Sequence, residues 1–210
     1  MLPRYIQDII LNGEGLTVDF KHSIADSYKI AKSLVSFANS AGGMLLVGVD
    51  DKGRVVGVDE DEETYMLDVA ALKYCKPQLE ITYKKHTRND GNTVLECNVQ
   101  KGKQTPYACK EIDGKWRVYF RQDDECKLAS VVRFRMMEMQ ASAKGDVVFN
   151  EQDKQVIELV ENNPDGLTKK QIVKKLSIPY HQIISTIARL MYLNVLKEKY
   201  NLNKIIYLLR

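Results

Sequence analysis

A glycine-centred segment constrains the fold of this chain more than any other stretch; residues 37–57 have the sequence FANSAGGMLLVGVDDKGRVVG. The Gly-Gly pair at 42–43 ends a helical pattern and permits backbone segments to approach each other closely. Residues 44–49 form an almost continuous apolar run, which is typical of a central strand. The Asp-Asp-Lys-Gly sequence at 50–53 then predicts a tight turn leading into a returning strand. The segment therefore predicts a helix followed by a sheet, with two carboxylates at the rim of that sheet.

The composition is that of a folded globular protein of one large domain or two small ones. The chain has 210 residues, of which 44% are hydrophobic and 28% are charged. No apolar stretch approaches the ~20 residues that a membrane helix needs. The N-terminus also lacks the pattern of a signal peptide. We therefore expect a cytoplasmic protein with no membrane partner.

The cysteines do not predict a metal site. Cys75, Cys97, Cys109 and Cys126 form no Cys-x-x-Cys pair, and the three histidines lie in no Cys/His cluster. We expect four reduced thiols, most of them buried.

Positive charge is concentrated at the end of the chain. Residues 167–210 contain nine Lys and Arg but one Glu, a net charge of +8 within a chain whose total is +3. The remaining residues therefore carry a net charge of −5. A basic end behind a mildly acidic body predicts a polyanionic partner for the basic end.

The pattern of apolar residues predicts two domains. Over residues 1–140 we expect helices at about 4–11, 26–40, 60–75 and 127–139, with hairpins over 79–99 and 105–121. Residues 141–149 are small and weakly patterned, which predicts a linker. Residues 150–210 predict three short helices and a hairpin. This order, with the pattern LTKKQIVKKL at 167–176, resembles the winged helix-turn-helix family, whose third helix reads DNA.

Three motifs of the first domain occur together in order: Glu14-x-x-x-x-Asp-Phe-Lys21, then the segment at 37–43, then Gly-Val-Asp-Asp-x-Gly at 48–53. This set resembles the Schlafen/AlbA-type (divergent AAA) domain, whose bacterial members are described as binding DNA or ATP. Pro106 and residues 119–121 match a looser part of the family pattern. The resemblance implies an α+β fold, a mixed or antiparallel sheet with flanking helices, here followed by a C-terminal winged helix domain.

The resemblance also implies a candidate active site. Schlafen relatives that cut RNA use three acids, which fall by motif position on Glu14, Asp19 and Asp51. Clustered carboxylates of this kind bind Mg²⁺ or Mn²⁺, which activates water and neutralises the scissile phosphate. Lys21 shares a strand face with Asp19 and is a candidate phosphate contact. The family usually has Glu where this chain has Asp19, which shortens that side chain by one methylene.

Each acid also has a structural explanation. Asp51 belongs to a sequence that makes a good turn without any chemistry. Glu14 follows a helix-ending glycine and is compatible with a solvated loop, and Asp19 and Lys21 are compatible with a surface ion pair. Nucleotide hydrolysis is disfavoured, because the chain lacks the Gly-x-x-x-x-Gly-Lys-Ser/Thr loop that binds phosphate.

The second domain supplies the candidate nucleic-acid contacts. Exposed polar residues of its third helix would reach base edges, while lysines of the second helix and of the hairpin would lie over phosphates. The predicted contacts are Lys169, Lys170, Gln182, Thr186, Arg189, Lys197, Lys199 and Lys204.

Three functions remain open at this point. A DNA-binding transcriptional regulator is favoured, with DNA preferred over RNA and a homodimer expected, because a two-fold protein reads a two-fold site. The alternatives are a divalent-metal-dependent endoribonuclease that uses Glu14, Asp19 and Asp51, and a protein-interaction adaptor.

Overall fold

A computed structural model describes residues 1–103, 106–142, 149–201 and 204–210. These residues form two compact units, a first unit over Met1–Ala129 and a second unit over Ser130–Arg210. The elements of the first unit are α1 (Arg4–Asn12), β1 (Val18–Lys21), α2 (Ser27–Ala38), β2 (Gly43–Val47), α3 (Glu60–Lys73), β3 (Cys75–Lys76), β4 (Ile81–Thr87), β5 (Thr93–Val99), β6 (Ala108–Lys110), β7 (Trp116–Gln122) and β8 (Glu125–Leu128).

The first sheet of the first unit has the strand order β1-β2-β5-β4. The β1 strand runs parallel to β2, and the other neighbours are antiparallel, so the sheet is mixed. Helices α2 and α3 pack on one face, where Leu34 and Leu67 share a buried cluster with Leu45. The amphipathic α1 covers the other face, with Ile6 packed against Phe20. The predicted α+β fold with a mixed sheet and flanking helices is therefore confirmed.

The second sheet of the first unit is antiparallel, with the strand order β3-β6-β7-β8. Asn39, at the end of α2, fixes that helix to this sheet. Its Nδ2 donates to the carbonyls of Tyr107 and Tyr119, both at 2.7 Å, and its Oδ1 accepts from the N–H of Tyr107 at 2.7 Å. The side chain of Asn39 therefore satisfies three buried backbone groups at once. This role goes beyond ending α2.

The Gly-Gly pair after α2 has a packing role that the sequence indicated only in part. Gly42 has φ of +80°, a conformation that side chains other than glycine disfavour. A Cβ atom on Gly43 would lie 2.2 Å from the ring of Phe37. Any larger residue at Gly43 therefore collides with the helix that precedes it.

The second unit contains α4 (Val131–Ser142), α5 (Glu151–Glu161), β9 (Leu167–Thr168), α6 (Lys169–Lys175), α7 (Tyr180–Tyr192), β10 (Leu196–Asn201) and β11 (Lys204–Leu209). Its sheet is antiparallel, with the order β10-β11-β9. Helices α4, α5 and α6 all contact α7. Ile172 of α6 and Ile183 and Ile187 of α7 are fully buried. The α7 helix is therefore the central element of this unit.

Two helix starts of the second unit have the caps that their sequences indicate. Asn150 and Asp153 form a reciprocal capping box at the start of α5, and Thr168 and Gln171 form another at the start of α6. Each box satisfies backbone N–H groups that have no partner within the helix.

The helix predicted over 127–139 begins later than expected. Residues 125–128 form β8 instead, and α4 begins at Val131. The buried face of α4 contains Val132, Met136 and Met137, whereas Phe134 is 36% exposed. Because α4 contacts α7, it lies in the second unit, although the sequence suggested a first domain that extends to residue 140. Of the predicted linker, residues 143–148 lie outside the described residues.

Two predicted hairpins also lie partly outside the described residues. Thr105 belongs to the hairpin predicted over 105–121, and residues 202–203 belong to the hairpin predicted at the end of the chain. Over the described ranges, no helix combines the length and apolar character needed to cross a membrane.

Candidate functional site

Asp19 lies in β1 at the centre of a buried polar network. Its side chain is 8% exposed, and Lys21 Nζ lies 2.8 Å from its Oδ2. Ser33 Oγ of α2 donates to the same oxygen at 3.3 Å. On the other side, Arg121 Nη1 lies 3.5 Å from Asp19 Oδ1. Asp19 is therefore buried, and the surface ion pair considered from the sequence is wrong for Asp19, although the Lys21 side chain is 34% exposed.

Arg121 of β7 is the cationic centre of this network. Its side chain is 1% exposed. Its Nη2 donates to the carbonyls of Gly15 at 2.6 Å and Val18 at 3.2 Å. Its guanidinium carbon lies 4.9 Å from the centroid of the Phe37 ring, and its backbone N–H donates to Ser40 Oγ at 2.9 Å. Arg121 therefore joins the second sheet to the segment that leads into β1.

Glu14 also lies beside Asp19. Its Oε1 accepts a hydrogen bond from the Phe20 N–H at 2.6 Å, and the Asp19 carboxylate lies near its carboxyl group. Burial, together with the nearby Asp19 carboxylate, raises the pKa of Glu14, although the Phe20 N–H opposes the shift. Two of the three predicted acids therefore meet.

Asp51 lies in the exposed turn that follows β2. Its neighbour Asp50 closes the turn, because Asp50 Oδ1 accepts from the backbone N–H groups of Lys52 and Arg54, each at 2.9 Å. Arg54 Nε also donates to Asp50 Oδ2 at 2.7 Å, and these bonds from Arg54 lower the pKa of Asp50. The geometry of this segment is that of a well-stabilised turn.

The predicted metal ligands do not fit a three-carboxylate metal site in this arrangement. The oxygens of Asp19 face an ammonium group, a guanidinium group and a hydroxyl group, and Glu14 Oε1 is occupied by a backbone N–H. Nowhere in the described chain do three or more His, Cys, Asp or Glu side chains form a group able to hold a metal ion. Magnesium and manganese ions need oxygen ligands that converge on one point. We therefore derive no metal-dependent step from Glu14, Asp19 and Asp51.

The polar residues of α7 are less accessible than the sequence suggested. Thr186 is 1% exposed, which contradicts the expected exposure of its side chain. Arg189 donates from Nη2 to Asp153 Oδ1 at 2.8 Å and from Nε to Oδ2 at 3.1 Å. Gln182 accepts a hydrogen bond from Gln152 Nε2 at 2.7 Å. Thr186 therefore lies on the buried face of α7, and Arg189 fixes this helix because it is engaged by a fully buried carboxylate.

The lysines of the second unit are more accessible. Lys169 Nζ lies 5.1 Å from the centroid of the Tyr180 ring, which brings the starts of α6 and α7 together. Within the part of the chain that the structure covers, the unit's other lysines after β9 are exposed and form no ion pair: Lys170, Lys174, Lys175, Lys197, Lys199 and Lys204. Lys197 and Lys199 alternate along β10 with the buried Leu196, so they lie on one face of the hairpin.

Sequence reasoning missed the roles of Arg121, Asn39 and Asp153. For Arg121 the signal was its place directly after the apolar run Val118-Tyr119-Phe120, since a buried arginine needs a carboxylate or carbonyl partner. For Asp153 the signal was its position three residues after Asn150, the spacing of a capping box.

Residues 14–130 match the family model described as Schlafen, AlbA_2, and the chain belongs to that family. The match contains the Glu14–Asp19–Arg121 network and ends where the second unit begins. A solved structure, the DIP2311 protein from Corynebacterium diphtheriae, is 18% identical, with a TM-score of 0.43. The similarity covers 73% of this chain and 31% of that chain, so this chain spans less than a third of that protein.

Proposed function

We propose that this protein is a DNA-binding transcriptional regulator whose second unit is a winged helix domain. The observation that carries the proposal is the order α5-β9-α6-α7-β10-β11 with the sheet order β10-β11-β9. A helix-turn-helix followed by a two-stranded wing is a DNA-binding arrangement, in which the second of the two helices enters the major groove. Here that helix is α7. Membership of the Schlafen AlbA_2 family also favours nucleic-acid binding.

The start of α7 is the part that would face DNA. Tyr180 is 50% exposed and His181 is also exposed, whereas the middle of the helix is buried. Gln182 is the remaining predicted base contact, because Thr186 is buried and Arg189 pairs with Asp153, and glutamine forms paired hydrogen bonds with adenine. Base recognition would therefore come from residues 180–182, and Arg189 would contribute by holding α7 in place.

The lysines provide the sequence-independent part of the binding. Lys170 on α6 and Lys197, Lys199 and Lys204 on the wing are exposed and have no acidic partner among the described residues. Lysines placed in this way neutralise phosphates and release counterions. The role of Lys21 differs, because its ammonium group already contacts Asp19 Oδ2 and the Phe20 carbonyl. We assign Lys21 to the stability of the first unit.

Binding of the full-length chain to a labelled random-sequence duplex, followed by fluorescence anisotropy, tests the first part of this proposal. If about six phosphates are neutralised, the affinity falls by about 10³ between about 50 and about 200 mM salt. An affinity that does not change with salt would contradict binding through these lysines.

Selection of duplexes from a random pool tests the regulatory part separately. A regulator enriches a defined motif, with two-fold symmetry if the protein is a dimer. A chain that binds duplex DNA but enriches no motif would contradict the role of a sequence-specific regulator and leave general DNA binding in place. Failure to bind any nucleic acid at low salt would favour a protein-interaction adaptor.

A further inference from the structure

One surface of the first unit is explained neither by its fold nor by the proposed role of the second unit. Trp116 is the only tryptophan of the chain, and it is 44% exposed at the start of β7. More than half of this large side chain is covered, and the remaining 44% of its surface stays in water. The second sheet therefore presents an aromatic ring to solvent at one end.

Two lysines flank this ring. Lys110 on β6 is the cross-strand partner of Trp116, and Lys76 Nζ on β3 lies 6.0 Å from the centroid of the Trp116 ring. Ala108 pairs with Lys76 on one side and with Val118 on the other, so these residues share one face of the sheet. The neighbour of Trp116 on the middle strand is therefore Lys110, and the small Ala108 lies two residues before it on the same face. We call Lys76, Lys110 and Trp116 the tryptophan platform.

The charges around the platform are unbalanced. Neither Lys76 nor Lys110 has an acidic partner among the residues that the structure describes. The two acids of the adjoining turn are engaged elsewhere. Asp113 is held by both terminal nitrogens of Arg117, at 2.9 and 2.7 Å, and Glu111 accepts from the Tyr119 hydroxyl at 2.5 Å. The platform therefore combines an exposed aromatic ring with two uncompensated positive charges.

This combination defines the chemistry of its ligand. A ring that has the Lys76 ammonium group over it and Lys110 on the neighbouring strand favours a ligand with a flat π surface and adjacent negative charges, which describes a nucleotide within a strand. A base within a duplex is covered on both faces by its neighbours, so a surface tryptophan reaches the face of a base only in a single strand. Cationic peptides are repelled by the lysines, and neutral carbohydrates gain nothing from them.

We propose that the tryptophan platform binds single-stranded nucleic acid, with a base stacked on Trp116 and the adjacent phosphates contacted by Lys76 and Lys110. The inference rests on the proposed function in requiring that the chain binds nucleic acid, but it concerns the first unit and a different form of the ligand. It gives the Schlafen AlbA_2 domain a contact outside its motif residues, of which Glu14, Asp19 and Lys21 belong to the internal network around Asp19.

The fluorescence of the single tryptophan reports on this site directly. Titration of the full-length chain with an oligothymidylate of about 12 nucleotides should quench Trp116 fluorescence in a saturable way. A duplex of equal length should quench it far less. In an anisotropy assay with the labelled oligothymidylate, Trp116→Ala should weaken binding about 10-fold, and Lys76→Gln with Lys110→Gln by a similar factor.

Two further variants act as controls. Trp116→Phe keeps an aromatic face and should retain most of the affinity, which separates stacking from misfolding. Lys73→Gln removes one exposed lysine of α3 in the same unit and should leave the affinity within about twofold. Circular dichroism establishes that each variant is folded.

The outcomes distinguish this inference from the proposed function. One outcome is that duplex DNA is bound, the oligothymidylate does not quench Trp116 fluorescence, and Trp116→Ala binds the oligothymidylate as tightly as the wild type. This outcome overturns the platform, and the winged helix proposal stands. If the oligothymidylate quenches Trp116 while duplex DNA is not bound, the platform stands and the winged helix proposal fails. Equal quenching by duplex and single strand, or no binding of either, contradicts the platform.

Discussion

Arg189 and Asp153 form a bidentate ion pair inside the second unit, with Arg189 Nη2 2.8 Å from Asp153 Oδ1 and Nε 3.1 Å from Oδ2. Asp153 is fully buried, and its Oδ2 also accepts from the backbone N–H of Asn150 at 2.8 Å. One carboxylate therefore caps α5 and fixes α7 to it. Arg189, expected from the sequence to reach base edges, instead holds the proposed recognition helix in position.

Replacement of Arg189 should destabilise the second unit strongly. Arg189→Ala leaves a buried carboxylate without its partner, and losses of this kind cost ~3–5 kcal/mol. Thermal unfolding followed by circular dichroism measures the effect. Lys154→Ala is a suitable control, because Lys154 and Glu151 form an exposed pair worth well under ~1 kcal/mol. Equal unfolding temperatures for Arg189→Ala and Lys154→Ala would contradict the structural role of Arg189.

Asn39 should be the polar residue on which the first unit depends most. Asn39→Ala leaves two buried carbonyl groups and one N–H group without partners, and each unsatisfied group costs ~1–3 kcal/mol. We expect a loss of at least ~3 kcal/mol in the free energy of unfolding, measured with urea and Trp116 fluorescence. Asn12→Ala, at the exposed end of α1, should change the stability by no more than ~0.5 kcal/mol. A similarly small effect at Asn39 would show that the backbone groups of Tyr107 and Tyr119 do not need this side chain.

Tyr5 should ionise at unusually high pH. Its hydroxyl donates to Oε2 of the buried Glu96 at 2.6 Å, and that hydrogen bond raises the pKa of Tyr5 from 10.0 to about 12. Because the pKa is raised on folding, the stabilisation by Tyr5 is present below pH 10 and is lost as the pH rises through about 12. The measurement is the ultraviolet absorbance of tyrosinate, as the difference between the wild type and Tyr5→Phe.

The same absorbance difference between the wild type and Tyr5→Phe, measured in urea, provides the control. Because the unfolded chain has no contact between Tyr5 and Glu96, the titration midpoint of Tyr5 should return to about 10. A folded-state midpoint near 10 would show that Tyr5 does not hold its hydrogen bond to Glu96 in solution.

The local parts of the fold were predictable from the sequence. The end of α2, the central strand β2 and the hairpin of β4 and β5 carry signals within a few residues, namely a Gly-Gly pair, an apolar run and a turn sequence. The two-residue strands β3 and β9 carry no such signal, because a strand of that length has no measurable period. These two strands form because they pair with β6 and β11, respectively.

The site was less predictable because its contacts join distant parts of the chain. The partners of a buried charge such as Asp19 are set by the fold, so no local pattern indicates that Arg121 faces it. Thr186 was assigned to the surface by its polarity. Helical spacing already placed it beside Ile183 and Ile187 on the buried face, so for this residue the periodicity was the better guide.

The salt dependence of duplex binding tests the central proposal most directly. We compare the wild-type chain with a triple variant, Lys170→Gln, Lys197→Gln and Lys199→Gln, by plotting the logarithm of the association constant against that of the salt concentration. Each lost phosphate contact should reduce the slope by about 0.9, and all three by about 3. Lys154→Gln should leave the slope unchanged. Equal slopes for the wild type and the triple variant would contradict binding through α6 and the wing.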